Sequence, residues 1–110
     1  MKKLNTPYLV KDKSGREWGL VIFTKEEAEY LHGYLEPTTE FNKLLPLFKL
    51  HDQQMTEGMD KYTEKEVNST AIKIAQLNVT LLEINQNTFC EAGIVFIQET
   101  KKGLLFSCGS

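Results

Sequence analysis

The chain has 110 residues, is 41% hydrophobic and 25% charged, and carries a formal net charge of -2; that size fits one compact domain, residues 1–110, with a single hydrophobic core. Its pI near 5.7 argues against a generic polyanion binder, because neutralising phosphates needs a surplus of Lys and Arg on one surface. The opening Met1-Lys2-Lys3 runs into Leu4-Asn5-Thr6-Pro7 rather than an apolar core, and no stretch reaches membrane-spanning length, so a cytoplasmic protein with no membrane partner is expected.

Residues 7–11 and 17–23 flank Asp12-Lys13-Ser14-Gly15, in which Asp can start a turn and Gly can take the left-handed position after it, so the chain opens with a β-hairpin. The second arm, Leu20-Val21-Ile22-Phe23, is the most continuously apolar strand and is expected at the centre of the sheet, with Pro7 on an edge where its missing N–H costs nothing. Thr24 followed three residues later by Glu27 forms a capping-box pattern. It predicts a first helix with Ala28, Leu31, Tyr34 and Leu35 on one stripe and Lys25, Glu29, His32 and Glu36 on another, stopped by Pro37. Phe41, Leu44, Leu45 and Phe48 keep the helical period and predict a second helix, kinked or restarted at Pro46. Polar residues 53–61, with Gly58, read as a frayed end or loop. Thr63 with Glu66 makes a second capping box, and Val67, Ala71, Ile74 and Ala75 mark the face of a third helix. Residues 77–84 fit either a strand or a prolonged helix, and the alternation of Leu77, Val79 and Leu81 favours the strand. Asn85-Gln86-Asn87 is a turn, and residues 92–99 and 104–108 around Lys101-Lys102-Gly103 predict a second hairpin. The order β-β-α-α-α-β-β-β points to an α+β domain, an antiparallel sheet of about five strands with helices packed on one face.

No motif in this order demands a particular chemistry. His51-Asp52 is the first place to look for a base, but neighbours on a helix point about 100° apart, so the pair reads as a surface or helix-end histidine. His32 reads as a solvated side chain. Cys90 and Cys108 lack CxxC spacing and read as reduced thiols, with burial the better account of Cys90 than nucleophilic chemistry. The two Cys and two His share no ligand-pair spacing, and no phosphate loop occurs, so neither a metal nor another cofactor is expected, and no catalytic residue is assigned. Asn68-Ser69-Thr70 and Asn78-Val79-Thr80 match the glycosylation pattern by chance, since the pattern has meaning only in a secreted protein.

The division of charge is more informative. Residues 25–66 hold ten acidic and five basic side chains, 5 − 10 = -5, while the remainder holds eight basic and five acidic, 8 − 5 = +3. An acidic middle of this kind can steer a basic partner, against the plainer reading of a solvated helical face. The expected partner-binding residues are Glu26, Glu29, Tyr30, Glu36, Asp52, Glu57, Asp60 and Tyr62, the tyrosines as interface anchors. This describes a non-enzymatic protein-binding or inhibitor module, similar in size and charge alone to the immunity proteins that neutralise bacterial nuclease toxins, with a basic protein as partner. The alternatives are a nucleic-acid-binding domain using Lys2, Lys3, Lys11, Lys13, Arg16, Lys101 and Lys102 with Tyr8 or Trp18 for stacking, and a small enzyme using His51 or Cys90.

Overall fold

The computed structural model describes residues 2–109, apart from the side chain of Met59. Seven antiparallel strands form one sheet: β1 (Pro7–Lys11), β2 (Glu17–Glu27), β3 (Tyr30–Pro37), β4 (Thr80–Glu83), β5 (Thr88–Glu91), β6 (Val95–Thr100) and β7 (Gly103–Gly109), in the spatial order β5-β4-β1-β2-β3-β7-β6. Two α-helices, α1 (Leu45–Glu57) and α2 (Glu64–Ala75), lie between β3 and β4 in sequence. The expectation of about five strands and three helices is therefore corrected to seven and two.

The difference lies mostly in residues 24–37, where the predicted first helix is instead the end of β2, a two-residue turn at Ala28-Glu29, and β3. The capping-box pattern at Thr24 and Glu27 caps nothing. Helix-forming residues are overruled by pairing on both sides, since β3 lies between β2 and β7, and Leu31 and Leu35 enter the core by strand alternation rather than by helical period. Gly33 fits this picture and not a helix: a Cβ there would run into the carbonyl of Ile22 on the neighbouring strand.

Two smaller expectations also shift, while the restart at Pro46 and the cap at Thr63 form as expected. β1 is not an edge strand, because it lies between β4 and β2; Pro7 is tolerated as its first residue, accepting at its carbonyl from the Ile84 N–H at 3.3 Å. Residues 53–57 continue α1 rather than forming a loop. Pro46 sits in the first turn of α1, after a separate 3₁₀ turn at Phe41–Lys43, where its missing N–H is harmless. Thr63 caps α2, its hydroxyl accepting from the Glu66 N–H at 3.1 Å.

The sheet must curl. β5 and β6 are its two opposite edges, yet only Ala92, Gly93 and Ile94 separate them in sequence. Four Cα steps span at most about 14 Å, whereas seven strands laid flat are about 29 Å across. The edges therefore approach one another at this corner, with α1 packed against β6 and α2 against α1. Inside the curl lie Tyr8, Val10, Val21, Phe23, Leu81 and Phe106, with Trp18 held between Phe41 at 5.2 Å and Phe48 at 5.5 Å between ring centroids.

The first hairpin is locked by Asp12. Its carboxylate accepts from the Ser14 N–H at 2.9 Å, the Ser14 hydroxyl at 2.5 Å, the Arg16 N–H at 3.3 Å and the buried Trp18 indole N–H at 2.9 Å. Burial alone would raise this carboxyl's pKa, but the donors around it outweigh that and hold it below its ordinary value.

Candidate functional site

Aromatic, acidic and imidazole side chains come together at the corner where the sheet edges meet. Strand alternation puts Tyr30 of β3 and Phe96 of β6 on the outer face, and their rings meet edge to face at 5.9 Å. His51 of α1 stacks on Phe96, centroids 5.5 Å apart and planes 9° from parallel. The chain of rings Tyr30–Phe96–His51 thus bridges the β2–β3 hairpin and α1.

Two depressions flank it. A groove of about 560 Å³ runs between α1, α2 and the β5–β6 corner, lined by Met55, Ala71, Ile74, Val79, Ile94 and Phe96 among others, with His51 the polar side chain in its lining. Small side chains at Ala71, Ala75 and Gly93 leave the room that larger ones would fill. A shallower depression beside it is lined by Glu29, Tyr30, Ile94 and Gly109. Ile94, 63% exposed, belongs to both. A cleft of about 100 Å³, which shares Phe96 with the groove, gathers His51, Asp52, Met55, Gln98 and Ser107.

Both histidines of the chain reach this region. His51 is only 6% exposed; burial pushes its pKa down, opposed in part by the charge of Asp52. His32 is half-buried on β3, not simply solvated, and its Nδ1 is hydrogen-bonded to Ser107 Oγ at 2.7 Å. Ser107 in turn lines the small cleft. Cys90 is half-buried beside the core, and Cys108 is buried, its thiol pushed up to about 12 by desolvation. Among the described residues, no group of three or more His, Cys, Asp or Glu is placed to hold a metal ion, and no helix is long and apolar enough to cross a membrane.

The expected partner-binding residues separate into four places. Glu26 and Glu29 sit at the tip of the β2–β3 hairpin with Glu27, and Tyr30 just beyond it joins the ring chain. Within the tip, the Lys25 ammonium bonds Glu27 at 2.6 Å and holds that carboxyl below its usual range. The two turn residues both have positive φ, 54° at Ala28 and 68° at Glu29, the conformation a two-residue hairpin requires but one that side chains other than glycine's resist. Asp52 stands beside the small cleft. Glu57, Asp60 and Tyr62 lie at the C-terminal end of α1 and just after it, where Glu57 pairs with Lys61 at 3.6 Å and the Tyr62 hydroxyl donates to Gln53 at 3.4 Å. Glu36 stands apart, at the far end of β3 opposite Leu20. The acidic surface is thus a hairpin tip together with one side and end of α1, rather than the face of a helix spanning residues 25–36.

Sequence reasoning missed Phe96, Ile94, Met55 and Ser107. A signal existed for two of them: Ile94-Val95-Phe96-Ile97 has no polar alternation, so both faces of that strand must carry apolar surface. The proposed stacking platform for nucleic acid is overturned, because Trp18 and Tyr8 are fully buried. Of the basic residues invoked with it, Lys3 pairs with Glu83 at 3.4 Å, and Arg16 lies 3.8 Å from Asp12 and 4.0 Å from Glu40. No known protein family, curated protein or solved structure matches the chain.

Proposed function

We propose that the chain is a non-enzymatic protein-binding module of the inhibitor kind, which sets the groove at the β5–β6 corner and its acidic rim against a basic protein. The supporting observation is the position of Ile94, which joins the apolar groove to the depression lined by Glu29 and Tyr30. An apolar pocket that can be desolvated, with aromatic walls and charge at its rim, is the arrangement that gives protein interfaces their energetic centre. In this reading an apolar side chain of the partner enters between Met55 and Ile94. Glu26 and Glu29 on one side and Asp52 on the other meet its Lys and Arg residues, chiefly by speeding encounter.

The test is affinity capture from a native lysate, quantified by mass spectrometry, with wild type, the double variant Glu29→Lys/Asp52→Lys and the control Glu36→Lys. The reading expects one stoichiometric basic protein held by wild type and by the control, and lost from the double variant. Equal retention by all three would sink it.

A further inference from the structure

The two sheet edges are treated differently. β6 is covered: α1 packs along it, Lys49 pairs with Glu99 at 3.7 Å, and His51 stacks on Phe96. Among the described residues β5 pairs only with β4, and although it is short and ends in Glu91, it has no proline, no lysine and no bulge in Thr88-Phe89-Cys90-Glu91. Instead it presents Phe89, 65% exposed.

The direction of its main chain follows from register. Leu81 lies opposite Cys90, and the Ala92 N–H donates to the Val79 carbonyl at 3.0 Å. Hydrogen-bonded pairs recur every second residue along an antiparallel ladder. Cys90 and Thr88 therefore spend their N–H and C=O groups on β4, while those of Phe89 and Glu91 point outward.

We propose that this edge pairs with the β5 edge of a second copy of the chain, antiparallel about a two-fold axis through Phe89. In that register the N–H of Phe89 in each copy donates to the C=O of Phe89 in the other. The two exposed rings face one another on the outer surface, and Glu91 faces Asn87 of the second copy, so no like charges meet. The neighbouring symmetric register, centred on Cys90, would set Phe89 against Glu91 and forfeit the aromatic pair. The apolar row Phe89–Leu82–Leu9–Leu20, which runs across the outer face to this edge, then continues into its counterpart. A second copy fits the edge because a single register satisfies its free main-chain groups, its exposed ring and its charges together.

The register makes a specific covalent prediction. Thr88 faces Cys90 of the second copy in a non-hydrogen-bonded pair, where Cα atoms come to about 4.5 Å, within disulfide reach. Thr88→Cys should give, on mild oxidation, a covalent dimer in which mass spectrometry locates a bond between the introduced thiol and Cys90. Sedimentation equilibrium of wild type should show a concentration-dependent dimer, and Phe89→Lys, which places two ammonium groups face to face at an exposed position, should weaken it about tenfold or more with unchanged thermal stability. A wild-type chain that stays monomeric at every accessible concentration, or a wild-type Cys90–Cys90 bond in place of the 88–90 bond, would overturn the proposal.

Discussion

Glu29 is held in a conformation it resists, and replacing it should separate stability from binding. At φ 68° a residue with a Cβ pays about 1–2 kcal/mol for left-handed backbone, while glycine pays about 0.5–1 kcal/mol for its greater freedom when unfolded. Glu29→Gly should therefore stabilise the fold by about 0.5–1 kcal/mol, a rise in Tm of about 2–4 °C for a chain of this size. Ala28→Gly, at φ 54°, should give a similar gain. The two should differ in function: Glu29→Gly removes a rim carboxylate and should weaken capture of the basic partner, whereas Ala28→Gly removes only a methyl group and should leave it intact. Thermal unfolding followed by circular dichroism, run beside the capture assay, reads both quantities. If both variants lower Tm, the strain argument at the turn is wrong; if Glu29→Gly stabilises and still captures fully, the turn does not retain its carboxylate for binding.

Asp12 should govern the stability of the first hairpin. Asp12→Ala removes four hydrogen bonds and leaves the buried indole N–H of Trp18 unpaired, which should cost about 3 kcal/mol and lower Tm by about 13 °C. Because the folded carboxyl titrates below its ordinary value of 3.8, its contribution is complete above that value and is lost as pH falls through the depressed folded one; Asp12→Asn should flatten that acid limb in urea titrations run across the same pH range. Cys108, with its thiol pushed up to about 12, should resist a thiol reagent at pH 8 in the native state and react only on unfolding, while half-buried Cys90 reacts natively. Fast labelling of both would show that the β7 end of the core opens readily.

How much of this was legible in the sequence depended on where local and long-range preferences agree. At Asp12-Lys13-Ser14-Gly15 and at Thr63 they do: the turn chemistry and the cap needed only neighbours, and both formed. At residues 24–36 they conflict. Lys25-Glu26-Glu27-Ala28-Glu29 is rich in helix formers, and its turn is made by Ala28-Glu29 rather than by the Asn-Gly pair that signals a two-residue hairpin. Pairing with β2 on one side and with β7, about seventy residues away, on the other explains why the segment is a strand, and no local pattern carries the β7 half of that information. Gly33 was the overlooked hint, a glycine inside a proposed helix where the sheet needs close backbone approach. The acidic residues were visible as a charge imbalance, but their grouping was not: Phe96, which touches the Tyr30 ring, also lines the cleft beside Asp52, and Glu36 falls away from them because β3 is extended.

The proposed role turns on whether the acidic rim steers a basic partner into the corner groove. The decisive quantity is the association rate of the captured partner as a function of ionic strength, for wild type and for Glu26→Lys/Glu29→Lys. The rate for wild type should fall steeply as salt rises and that of the variant should be slower and nearly flat. A wild-type rate that does not respond to salt, or a variant that follows the same curve, would contradict it.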